Sequence, residues 1–164
     1  MALILFVFSK IATAQSEENV EPPKNVVYFK AGTSFIYNSI TLNYDLLLRN
    51  RERGVFKNYY LNFEAGTYHR NSGFAPGPGY NGLLGSIGVV GLTGKKNSRF
   101  EVGLGASFNR DTRIINQDGS DNRKYSFILP KLTLGYRYQK KNGVVFRVGT
   151  SIPELIYMSW GYGF

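Results

Sequence analysis

From Val26 to the last residue, large apolar side chains recur at every second position. A period of two marks a strand with one apolar and one polar face, whereas a helix would repeat about every 3.6 residues. Eight such stretches are predicted, at 26–35, 39–48, 57–69, 81–93, 98–110, 124–139, 143–151 and 155–164. The stretch 98–110 shows the pattern most plainly. Phe100, Val102, Leu104, Ala106 and Phe108 share one face, and Arg99, Glu101, Gly103, Gly105, Ser107 and Asn109 share the other. The same split separates Val144, Phe146 and Val148 from Arg147 and Gly149, and Leu132, Leu134 and Tyr136 from Lys131, Thr133, Gly135 and Arg137. In 81–93, "NGLLGSIGVVGL", apolar residues stand side by side, so no facing is assigned. In the other stretches the apolar face carries no charge between its first and last apolar residue.

Eight strands joined in sequence predict an all-β fold, an eight-stranded antiparallel up-and-down transmembrane β-barrel. An even strand number puts both ends of the mature chain on one rim. The connections "RNRERGVF" (49–56), "GKKN" (94–97) and "QKKN" (139–142) fall on that rim too. The longer "RNSGFAPGPGY" (70–80) and "DTRIINQDGSDNR" (111–123) fall on the other. Short turns beside the termini and longer loops opposite is the layout of membrane barrels.

A soluble exported ligand-binding barrel of lipocalin type would turn its apolar face inward, and it is the first alternative. Glycine and charge favour the reverse arrangement. Glycine weakens a solvent-facing strand, but inside a narrow barrel it makes room for long Arg and Lys side chains. The stripes also match the roughly 9–11 residues that a tilted strand needs to cross the hydrocarbon. Tyr44, Tyr59, Tyr136, Tyr138, Trp160 and Tyr162, near strand ends, suit an interfacial girdle.

The N-terminus adds an export route. "ALILFVF" (2–8) is apolar but too short to span a bilayer, and Ala12-Thr13-Ala14 fits a signal-peptidase site. The expected organisation is a signal peptide at 1–15, a flexible periplasmic lead at 16–25 and an outer-membrane barrel at 26–164. There is no Cys, which excludes disulfides and thiolate sites, and one His, which excludes a multi-imidazole metal centre. The net charge of +9 could suggest nucleic acid. The basic residues follow no helix or groove, and an exported chain does not meet nucleic acid, so none is expected as a partner.

With the signal peptide, "TAQ" at its end, eight alternating strands and a terminal "YMSWGYGF", the chain resembles small outer-membrane barrels of the OmpA/OmpX type, and its Tyr/Asn-rich strands look like members from Bacteroidota. The resemblance is one of pattern over the whole mature chain. It implies that the last strand, with Tyr157, Trp160, Tyr162 and Phe164, is the signal read by the barrel-assembly machinery. "RNRERGVF" departs from the family in being longer than the usual periplasmic turn.

Inside the barrel the polar faces collect Lys30, Asp45, Glu64, Arg99, Glu101, Lys131, Arg137 and Arg147, five basic and three acidic. Counted from the turn rim, Lys30, Asp45, Glu101 and Arg147 fall low, and Glu64 and Lys131 fall nearer mid-height. Buried charges are tolerable when paired, so these eight are expected to form an ionic network that plugs the lumen. A gated, anion-selective path is the alternative. Basic residues also gather at the turn rim: Arg49, Arg51, Arg53, Lys57, Lys95, Lys96, Lys140 and Lys141. They serve either as a solvated rim or as contacts to anionic headgroups.

His69, at the loop end of its strand, is the one candidate acid–base group. A small outer-membrane enzyme would pair it with Ser72, Asp111 or Asp118. "NQDGSDNR" (116–123) lacks calcium-loop spacing, and "GFAPGPGYNG" (73–82) lacks the Lys-Ser/Thr and helix of a phosphate loop. No catalytic residue, cofactor or metal is expected. The expectation is a monomeric, non-catalytic barrel surrounded by outer-membrane lipid, with a structural role or a recognition role through loops 70–80 and 111–123. The sequence indicates no extracellular partner. Gly161 and Gly163 in the last strand are expected to leave room for the basic rim.

Overall fold

The computed structural model describes residues 21–71, 79–94, 96–114 and 125–164. The expected signal peptide and most of the two long loops lie outside the described residues. Eight strands form one closed barrel in sequence order: β1 (Asn25–Thr33), β2 (Tyr37–Asn50), β3 (Phe56–Arg70), β4 (Tyr80–Thr93), β5 (Ser98–Ile114), β6 (Ser126–Gln139), β7 (Val144–Ile152) and β8 (Ile156–Gly163). Every neighbouring pair is antiparallel. The barrel closes where Val26 to Thr33 pair with Gly163 to Ile156. The backbone of Phe164 extends this seam by exchanging two 2.9 Å bonds with Asn25.

The alternation places the faces as expected. Phe29, Ile40, Phe100, Leu104 and Ile128 point outward and are about two-thirds exposed. The lysines, arginines and carboxylates of the polar faces point inward and are buried. The facing of β4 is now fixed: Leu84, Ser86 and Val90 point in, and Leu83, Ile87 and Val89 point out. Two small apolar clusters close the interior at its ends. Val26, Tyr28, Tyr60, Val90, Leu92 and Val145 pack together near the rim of the termini. Tyr37, Tyr68 and Leu84, with Phe127 against them, pack near the other.

Three details differ from expectation. Strand β5 runs past 110 to Ile114, and a register shift opposite Asn81/Gly82 leaves Thr112 as the extra residue. Asp111, just before this bulge, continues the inward series of Ser107 and Asn109 and is 1% exposed. The last residues of the expected lead are packed. Asn25 belongs to β1, Pro23 is buried, and its carbonyl accepts a 2.9 Å bond from the Tyr60 hydroxyl. Gly161 and Gly163 do not serve the basic rim, because a Cβ on Gly161 would strike Tyr28, and one on Gly163 would strike Pro23.

At the turns, Gly94 and Asn142 adopt positive φ (71° and 47°). Glycine and asparagine tolerate this left-handed region best, so "GKKN" and "KKNG" can reverse the chain tightly. Around them, Lys141 pairs with Glu21 at 2.6 Å and the Arg51 guanidinium lies 5.3 Å from the Tyr59 ring centroid.

Candidate functional site in the barrel interior

Inward positions from all eight strands converge on two ionic clusters. The cluster nearer the termini is built on Arg137 of β6 and Arg147 of β7. Arg137 Nη1 lies 2.7 Å from Asp45 Oδ2 and 3.6 Å from Glu101 Oε2. Arg147 pairs with the other oxygen of Glu101. Around these ions, Tyr28 and Asn62 donate to Asp45 at 3.1 and 2.8 Å, and Tyr157 donates to Glu101 at 3.3 Å. The guanidinium of Arg147 stacks 4.3 Å from the Tyr28 centroid, and that of Arg137 stacks 4.9 Å from Tyr60. Stacking on a ring face suits the flat, weakly hydrated guanidinium where lysine would not fit as well.

The second cluster lies toward the opposite rim. Glu64 of β3 is held between Lys30 of β1, at 2.7 Å, and Lys131 of β6. Its oxygens also accept from Thr41 at 2.7 Å and from Ser86 at 2.8 Å. Lys30 reaches a second carboxylate, Glu154, at 2.9 Å. Glu154 stands outside the strands, in the tight β7–β8 connection, and its side chain turns back into the lumen. It accepts from Ser39 at 2.6 Å and from Ser151 at 2.8 Å. Asn62 joins the two clusters, donating to Asp45 below and accepting from Lys131 at 3.2 Å above.

Arg99 belongs to neither cluster. It bonds the Asn58 amide oxygen and the Lys96 carbonyl, the latter at 2.6 Å, near the terminal rim. The structure therefore brings seven of the eight expected charges together and sets Arg99 apart. It also moves Lys30 up beside Glu64 and Lys131, where the count from the rim put it low with Asp45 and Glu101. Strand stagger explains the error, since residues equally far from a turn do not stand at equal height in a tilted barrel.

The charge balance changes as well. Glu154 and Asp111 were not counted as interior. Among the described residues the buried cations are Lys30, Arg99, Lys131, Arg137 and Arg147, and the buried anions are Asp45, Glu64, Glu101, Asp111 and Glu154. Five now face five, so the basic excess that favoured an anion path disappears. Between the clusters, Tyr28, Asn62, Lys131, Arg147 and Tyr157 line a cavity of about 20 Å³, the room of a single water.

The wall separates the groups a His69 enzyme would need. His69 points outward, with Nδ1 2.7 Å from Asn81 Oδ1 and Nε2 2.8 Å from Asn71 Oδ1. Asp111 points inward, bonded to Tyr68 and, at 3.2 Å, to Arg70. Ser72 and Asp118 lie outside the described residues. Among the described residues no three His, Cys, Asp or Glu side chains gather as metal ligands. At the C-terminal end, Trp160 and Tyr162 of β8 and Phe164 just beyond it are exposed on the outer side, whereas Tyr157 faces the lumen as a partner of Glu101.

No family model matches the chain, and no curated protein sequence matches it. Among solved structures, it is similar to the N-terminal β-barrel domain of Pseudomonas aeruginosa OprF. The identity is 14% and the TM-score 0.64, over 88% of this chain and 100% of that one. Ail, the attachment invasion locus protein of Yersinia pestis, aligns over 90% of this chain and 100% of that one, at 10% identity and a TM-score of 0.44. The OprF likeness is one of fold: a closed, eight-stranded antiparallel barrel.

Proposed function

We propose that this chain is a monomeric, non-catalytic integral barrel of the outer membrane, closed by its own interior, with a structural role or a recognition role at the rim opposite the termini. One observation carries this reading: the barrel is apolar outside and ionic inside. A protein in water leaves apolar patches of only a few hundred Å² exposed. Here the outward rows of all eight strands are apolar over most of their length. Lipid is the solvent that favours such a surface, and a closed barrel leaves no strand edge to satisfy in it.

The plugged interior is supported by ten buried, balanced charges and by apolar clusters at both ends. Eight strands enclose a space that side chains can fill. The last strand with Tyr157, Trp160, Tyr162 and Phe164 is the segment proposed for reading by the assembly machinery, with Trp160, Tyr162 and Phe164 on its outward face. The chemistry of a His69 enzyme gains no support from Asp111, which faces the other side of the wall.

Cell fractionation with and without boiling before electrophoresis tests the location. The expected result is an outer-membrane band whose mobility shifts on heating, and recovery in the soluble periplasm would overturn the reading. In planar bilayers no steady, large conductance is expected, and a stable open channel would refute the plug.

A further inference from the structure

On the outer face, the apolar rows of β2 to β5 end in a polar band. Asn38, His69 and Asn81 stand side by side in register across β2, β3 and β4. One step nearer the barrel middle, Ile40, Thr67, Leu83 and Arg110 form the next row. Thr112, the bulge residue, points out beside Asn81 and donates to its carbonyl at 3.2 Å. Asn38, Ile40, Thr67, His69, Asn81, Leu83 and Thr112 line an outward groove of about 510 Å³, polar at the top and apolar at the bottom, and Arg110 stands beside it as the register partner of Leu83.

The height of the band is set by chain geometry. Tyr59 and His69 share the outer face of β3, ten residues apart. A tilted strand crosses the hydrocarbon in about 9–11 residues, so if Tyr59 marks one interface, His69 marks the other. Arg110 is exposed at this level, and no acidic side chain faces outward on β2 to β5 among the described residues. Asp111, its sequence neighbour, is turned inward and paired with Arg70.

From these positions the geometry points to a lipid-binding site on the outer face of β2–β5, taking an anionic, sugar-bearing lipid of the leaflet opposite the termini. Arg110 faces the phosphate, Asn38, Asn81 and Thr112 face headgroup hydroxyls, His69 holds the Asn81 amide in place, and Ile40 and Leu83 lie along an acyl chain. An amide carries both donors and an acceptor, which suits hydroxyls, and a guanidinium suits a phosphate. The inference rests on the membrane reading and deepens it by naming a lipid class and a place.

The test uses the full mature chain in mild detergent, with lipid A (a phosphorylated, acylated glucosamine disaccharide) and a phosphatidylcholine as probes, and bound lipid read by native mass spectrometry. Arg110→Ala is expected to weaken lipid A binding about tenfold, the scale of one charge-assisted hydrogen bond. Asn81→Ala should weaken it by a smaller factor, and neither should change phosphatidylcholine binding. Lys24→Ala, which removes one exposed cation at the opposite rim, should leave both unchanged. Parental lipid A binding by Arg110→Ala, an equal loss for both lipids, or an equal loss in Lys24→Ala would each overturn the site. Heat-modifiable migration of every variant is the control for folding. If the parent chain lacks it, the membrane reading fails. If it is intact and Arg110 has no effect, this inference fails alone.

Discussion

Arg137 and Asp45 meet at 2.7 Å with neither side chain exposed, although they stand on β6 and β2, which face each other across the barrel. The bond is a strut through the lumen, and each partner is held by others, Arg137 by the Tyr60 ring and Asp45 by Tyr28 and Asn62. Removing one member of such a pair leaves an uncompensated buried charge. Arg137→Met is therefore expected to cost about 3–5 kcal/mol. Adding Asp45→Asn removes the stranded charge while keeping a hydrogen-bonding group, so the double variant should recover part of that loss. Urea unfolding in lipid vesicles measures both. A single variant within about 1 kcal/mol of the parent would mean the strut contributes little.

The outer face gives a second prediction. Leu104 is 66% exposed in the middle of β5. In lipid, Leu104→Arg should cost about 2–4 kcal/mol near the bilayer midplane. In water the same exchange at an exposed position would be close to neutral. Comparing folding yields and unfolding midpoints in vesicles separates the two surroundings.

The close approach of β6 and β7 gives a third. Gly135 and Gly149 are register partners, and the Tyr157 hydroxyl lies over both. A Cβ on Gly149 would meet the Leu134 carbonyl and the Gly135 backbone as well as that hydroxyl. Gly149→Ala is expected to cost about 1–3 kcal/mol, as overpacking does. Tyr157→Phe removes the hydroxyl alone and should relieve only part of the strain, since the backbone contacts persist. Full rescue would show that the hydroxyl, and not the backbone, sets the limit.

Glu154 supplies a pH dependence. Burial pushes its carboxyl up, but Lys30 and Ser39 hold it net below its ordinary value of 4.5. A carboxyl lowered in the folded state contributes stability that is complete above 4.5 and is lost as pH falls through the folded value. Unfolding of the parent measured downward from neutral pH should therefore steepen below 4.5. Glu154→Gln should start less stable and show a shallower acid slope. An unchanged slope would remove Glu154 from the acid response.

The strands and their faces were legible because one rule, alternation, governs each of them and both surroundings are strict. A charge outside or a phenylalanine row inside would be expensive. β4 escaped the rule because Leu84, Val90 and Leu92 are apolar and yet inward, serving the end clusters under Tyr68 and Tyr60. Glu154 escaped it because its connection lies outside the strands, where period says nothing about direction. Asp111 was assigned to a loop because the outward residues after Phe108, Arg110 and Thr112, are polar, so no apolar residue marks the strand there. Lys30 was placed too low because counting from a turn ignores tilt. Within the interior, then, residue identities could be read from sequence, but partners could not, since partners depend on stagger.

The pattern of partners bears on the order of events during assembly. Lys30–Glu64, Lys131–Glu64, Arg137–Asp45 and Arg147–Glu101 all join strands that are not neighbours, and among the described residues only the 3.6 Å Arg137–Glu101 contact lies between adjacent strands. A half-barrel of β1–β4 or of β5–β8 would thus still lack the two pairs that span the halves, Lys131–Glu64 and Arg137–Asp45. Those ions find each other only as the curved sheet rolls up and β8 meets β1. Partly built intermediates are penalised until the final seam forms, which makes closure concerted and gives the folding chain a built-in check on completeness.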